Sequence, residues 1–171
     1  MSLNDEELRA FFELAGQPHV NMPLLLAVYL RGAGKRTAAE RFTGLQTMRT
    51  RDSDWYCKLI NNLWDSGELP EELAVLALLS LATHVLLHHH HKEYVVDPQS
   101  DPNSKAEFVQ VFKTEVRSPR MAALMEQSPA KVEALERRGQ ILLLGDDMAE
   151  LQRWYDQKRQ HDAVMSVLGR R

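Results

Sequence analysis

A chain of 171 residues, 44% hydrophobic and 26% charged, can bury a core without a metal or disulfide and is too apolar to stay disordered. Its net charge of −3 exerts no general pull toward nucleic acid or anionic lipid. Cys57 is the sole cysteine, which excludes an intrachain disulfide and a cysteine-based metal centre and fits a reducing compartment.

The chain begins Met1, Ser2, Leu3, Asn4 and continues with Asp5, Glu6 and Glu7. A secretory signal needs a basic start and an apolar run, so the expected location is the cytoplasm. Asn4 with Glu7 has the spacing of a capping box, and Leu8, Phe11, Phe12 and Leu14 supply an apolar face up to Gly16. Asn21 precedes a second short helix, Met22 to about Leu30, closed by Gly32 and Gly34. Thr37 with Glu40 repeats the capping spacing and opens a third helix to about Met48. Ser53 caps a fourth, which carries Trp55, Leu59, Ile60, Leu63 and Trp64 and stops at Gly67.

Pro70 suits the first turn of the next helix, and Glu71 and Glu72 suit the positive end of its dipole. This helix is apolar on nearly every side and runs to about His91, which predicts a core position with Leu76, Leu79 and Val85 deeply buried. Its apolar stretch, Leu73 to Leu87, is 15 residues long, short of the roughly 20 that span a bilayer. Asp97 to Asn103 reads as a loop.

Over 105–116 two patterns compete. Val109, Val111 and Val116 favour a strand that pairs with Tyr94, Val95 and Val96 as a hairpin. Ser104 with Glu107, and Phe108, Phe112 and Val116 at i, i+4 and i+8, favour a helix, which is the expected form. Ser118-Pro119 and Ser128-Pro129 each start a short helix, the second ending at Gly139, with Ile141 to Leu144 as an apolar connector. Asp147 with Glu150 opens a last helix to about Leu168 that turns Leu151, Trp154, Tyr155, Met165 and Leu168 inward. The fold class is therefore all-α: one helical domain over 1–171, a multi-helix bundle around a central apolar helix at about 70–91, with the short hairpin near 94–116 as the alternative. Short connections predict antiparallel neighbours.

Two constellations carry chemistry. From Arg31 to Arg51 the basic residues Arg31, Lys35, Arg36, Arg41, Arg49 and Arg51 face Glu40 alone, whereas Asp52 to Glu72 holds six acids against Lys58. Such a basic segment beside Trp55 and Tyr56 suits phosphates and stacked bases, or an acidic protein surface, or simply a solvated face. His84, His88 and His91, spaced i, i+4 and i+7, fall within an arc of about 60°, with His89 and His90 pointing elsewhere. Imidazoles so spaced can share a metal ion, but a helix C-terminus also favours histidine without any metal.

The Gly32-Ala33-Gly34-Lys35-Arg36-Thr37 run lacks the first glycine of a phosphate loop, Tyr29 standing in its place. No Gly-x-Ser-x-Gly or His-Glu-x-x-His occurs, and the apolar neighbours of Cys57 are those of a structural thiol. The expected function is a non-enzymatic helical binding module, an adaptor, accessory or regulatory protein. It contacts a protein partner or a second copy through Arg31, Lys35, Arg36, Arg41, Arg49, Arg51, Trp55 and Tyr56. Its rival is a nucleic-acid-binding accessory protein using 31–51, and a weaker rival a metal-binding protein using His84, His88 and His91. No catalytic residue, cofactor or membrane association is expected.

Overall fold

A computed structural model describes residues 18–43 and 53–143, together with positions 164, 167 and 168. Every regular element among them is helical. We label these α1 (Pro18–Gly32), α2 (Arg36–Thr43), α3 (Ser53–Ser66), α4 (Glu71–His88), α5 (Pro102–Thr114), α6 (Pro119–Gln127) and α7, helical from 129 to 143. The helix expected over 4–16, the far end of the third and most of the last lie outside the described residues.

α4 is the centre of the bundle. It packs against α1, α3 and α5, while α2 rests on α1 and α6 on α5. Twelve of its residues are buried, from Leu73 to Leu86, including Leu76, Leu79 and Val85. By length and composition alone α4 is apolar enough to cross a membrane, and 67% of it is buried among its neighbours. With no polar stripe to hold against water, it needs partners on all sides.

Helix ends follow local chemistry, though not always at the residues the sequence pattern favours. α1 starts at Pro18, three residues before Asn21, and carries Pro23 inside it. A proline is itself a good first helical residue. α1 closes with Gly34 at φ +80°, its N–H bonded to Arg31 O at 3.0 Å and Lys35 N–H to Leu30 O at 2.8 Å. That double closure requires a left-handed residue, which glycine adopts without strain.

Thr37 is not a cap: it lies in the first turn of α2, which begins at Arg36. Ser53 does not cap α3 either, since its Oγ is buried with no hydrogen-bond partner. α3 ends as expected at Gly67, φ +77°. α4 stops at His88, and His91, expected on the helix, adopts φ +55° beyond it.

The 105–116 stretch is helical, and the hairpin does not form. The true cap is Asp101, whose carboxylate accepts from the N–H groups of Asn103 and Ser104, with Pro102 as first helical residue. Ser104 is buried instead and donates its hydroxyl to Val96 O, which ties the loop to α5. Residues 94–96, the other half of the alternative, carry no strand pairing. Ser118 caps α6 through Met121 N–H as expected.

Gly139 does not end α7, which continues to 143 and so absorbs residues 141–143 of the stretch expected as a connector. Of the residues expected to face inward at the C-terminus, Leu168 is described and is exposed, as are Val164 and Val167.

Arg120 joins the helices at one end. Its guanidinium lies 3.8 Å from the centre of the Trp64 ring and pairs with Asp65 at 3.0 Å and Glu71 at 3.4 Å, while Lys131 reaches Glu71 at 3.5 Å. These pairs are half-exposed, so they orient helices more than they stabilise them.

Glu136 of α7 meets the 97–100 turn. Burial, and next the charge of Asp97, push its carboxyl above the ordinary carboxylate range, against the opposing bond from Gln99 Nε2 at 3.3 Å. A carboxyl raised on folding binds its proton more tightly in the folded state. Its favourable contribution is complete below the unfolded range and disappears as pH rises through the folded value. Glu136→Gln is therefore expected to raise the unfolding midpoint at neutral pH and to match the parent at about pH 3, where both side chains are uncharged. Thermal melts at the two pH values check this, and an equal gap at both would be the wrong outcome.

Candidate functional site

The basic segment is described in part, from Arg31 to Arg41. Arg36 and Arg41 are exposed on the outer face of α2 beside Thr37 and Glu40, because Ala38, Ala39 and Phe42 turn inward. Arg31 is exposed at the end of α1. Lys35 is half-buried and its Nζ donates to Glu68 O at 2.6 Å, so it fastens the turn after α1 to the turn before α4. Arg49 and Arg51 lie outside the described residues.

The two aromatic residues part company. Trp55 is 51% exposed on the outer face of α3, whereas Tyr56 is 1% exposed and presents its ring edge-on to Phe42 at 6.1 Å. Consecutive helical positions differ by about 100°, so both cannot serve a surface. Tyr56 is thus corrected from a binding residue to a core residue that locks α2 onto α3. Burial, and next the neighbouring Cys57, raise its phenol well above its ordinary value.

The histidine stripe is also redrawn. His84 is buried and His88 exposed, with ring centres 4.6 Å apart, and His89, expected to point away, lies 6.3 Å from His84. His91 has left the helix, so the i, i+4, i+7 alignment does not exist. Among the described residues no three or more histidine, cysteine, aspartate or glutamate side chains are placed to hold a metal. His90 pairs with Glu115 of α5 at 2.6 Å, and Lys92 with Glu107 at 2.8 Å.

Beside Trp55 the structure shows something the sequence pattern did not: a cleft of about 450 Å³ between the first turns of α3 and the corner joining α5 to α6, lined by Asp54, Cys57, Lys58, Thr114, Glu115 and Arg117. Its floor is pinned. Asn61 Nδ2 donates to Cys57 O at 3.0 Å and to Cys57 Sγ at 3.3 Å, and Asn61 Oδ1 accepts from Ser118 Oγ at 3.1 Å. Cys57 Sγ in turn sits 4.0 Å from Arg117 O. Burial first, and the charge of Asp54 second, push the Cys57 thiol up to about 11, outweighing Asn61 and Lys58. A thiol so placed stays protonated at neutral pH and is a poor nucleophile.

Arg117 and Thr114 were missed because the cleft joins residues some 60 positions apart. No local spacing announces that meeting.

Among the described residues, fold and site together define an all-α helical bundle with a surface cleft between α3 and the α5–α6 corner. Compared with protein-family models, curated proteins and solved structures, the chain matches none.

Proposed function

We propose that the protein is a non-enzymatic helical binding module, an adaptor, accessory or regulatory subunit that engages a protein partner through the Trp55 face of α3. The carrying observation is Trp55 itself: a large aromatic, half in water, on an otherwise polar helix face next to a cleft. Tryptophan at such a place is the residue type that dominates binding energy when a partner covers it. The high thiol value at Cys57 supports a binding rather than a catalytic reading of the cleft.

A nucleic-acid role retains one support, the shared outer face of Arg36 and Arg41. Glu40 on that same face, and the loss of Tyr56 as a stacking ring, weigh toward protein.

Placing a photo-reactive benzoylphenylalanine at position 55 should give a discrete protein adduct, whereas the same group at the exposed Ala123 of α6 should give none. A labelled-oligonucleotide titration runs beside it. Binding tighter than about 1 μM at physiological salt, lost when Arg36 and Arg41 become alanine, would reverse the ranking.

A further inference from the structure

We propose that the cleft beside Trp55 receives a carboxylate from an acidic segment of the partner protein, with Arg117 as its counter-ion. The inference rests on the protein-binding reading above and names the chemistry of the partner.

Charge matching carries it. Around the cleft each carboxylate already has a partner: Asp54 pairs with the Lys58 ammonium at 3.3 Å, and Glu115 meets the His90 ring at 2.6 Å. The same holds further along this side, where Lys113 holds Glu126 at 2.5 Å and Arg120 holds Asp65. Arg117 lines the cleft, is exposed, and has no ion-pair partner among the described residues. A guanidinium offers a planar fork that accepts a carboxylate through two parallel hydrogen bonds.

With Lys58 paired to Asp54, Arg117 is the cation lining the cleft that has no ion-pair partner among the described residues. One guanidinium suits one carboxylate better than a phosphate monoester, which carries about two negative charges at neutral pH.

The arrangement is preformed. The corner that carries Arg117 is closed by Val116 N–H to Val111 O at 2.8 Å and Ser118 N–H to Phe112 O at 3.0 Å. The Asn61 and Cys57 contacts clamp the same corner to α3. A partner group therefore meets a backbone already ordered, and less entropy is lost on binding.

Trp55 follows Asp54 and stands three residues before Lys58, both of them lining the cleft, so a segment that lies along α3 to reach Arg117 can also cover Trp55. The ligand chemistry is thus an aspartate or glutamate with an apolar or aromatic side chain close by in the same segment.

The test exposes the full chain to a library of random dodecapeptides. Enriched peptides should carry an excess of aspartate or glutamate beside leucine, isoleucine or an aromatic residue. Their affinity should fall about tenfold or more in Arg117→Ala, the loss of one charge-assisted bidentate pair, and at least as far in Trp55→Ala. Arg117→Glu should shift enrichment toward lysine and arginine. Both Arg117 side-chain changes occur at an exposed, unpaired position, and matching thermal midpoints verify the fold.

No enrichment, enrichment without an acidic excess, or affinity indifferent to Arg117 overturns the proposal. Peptides that depend on Trp55 but not on Arg117 leave the protein-binding reading standing and remove the carboxylate. Dependence on neither residue removes both. A labelled single-stranded oligonucleotide that binds the parent and fails with Arg117→Ala assigns the charge to phosphate instead and also overturns it.

Discussion

Replacing Phe112 with alanine is expected to cost about 3–5 kcal/mol. Phe112 is fully buried on α5, with its ring 6.5 Å from that of Phe108 in an edge-on contact, where α5 lies between α4 and α6. The loss combines the transfer of an aromatic side chain with a cavity that three helices cannot close together. A domain of this size is stable by roughly 5–15 kcal/mol, so the substitution removes a large share of the total. Urea unfolding reads it as a lower midpoint at unchanged slope. A loss below about 1 kcal/mol, the range of surface changes, would mean that α5 is not docked on α4 as described.

The second large effect comes from adding one carbon. At Gly139 the backbone of α7 approaches the first turn of α4 so closely that a Cβ would lie 2.5 Å from Glu72 O and 3.1 Å from the attached carbon. Those atoms belong to a helical backbone and cannot swing aside as a side-chain tip can. On helix propensity alone Gly139→Ala should stabilise by about 1 kcal/mol. Overpacking of this kind costs about 1–3 kcal/mol, occasionally more, and a contact with backbone oxygen sits toward the upper end of that range. The expected result is a net loss of roughly 1–2 kcal/mol, visible as a lowered melting temperature, with Gly139→Val lower still. An unchanged or raised midpoint would place α7 farther from α4. Lys131, paired with Glu71 on the same seam, should lose its registry in the same variant.

The contrast between these two sites explains which parts of the molecule were legible in the sequence. Phe108, Phe112 and Val116 announce a helical face by spacing alone, and the all-round apolar character of α4 announces a core. Both signals arise from one short stretch of chain. Caps were less legible: Asp101, Ser104 and Glu107 offer overlapping start patterns, and the choice of Asp101 depends on Ser104 being drawn to Val96, a tertiary contact.

Gly139 resembles a stop signal for the same reason. A glycine that ends a helix and a glycine that lets two helices touch have the same sequence, and only the neighbour tells them apart. Tyr56 was assigned to the surface with Trp55 because the two are adjacent, although Phe42 claims one of them. The cleft was the least legible part, because Arg117 meets Cys57 across 60 residues and no periodicity spans that gap.

The lone cysteine gives this molecule a built-in clock. With the Cys57 thiol nearly buried at the floor of the cleft, protonated at neutral pH and held between Asn61 and the Arg117 carbonyl, an electrophilic reagent reaches it faster when α3 and the α5–α6 corner move apart. The rate at which a maleimide consumes the single thiol thus reports how often that joint opens. No engineered label is needed, and no second cysteine confuses the signal. A ligand seated over Arg117 bridges the same joint, so the reagent's rate would slow in proportion to occupancy, turning a silent side chain into a direct gauge of whether the cleft is filled.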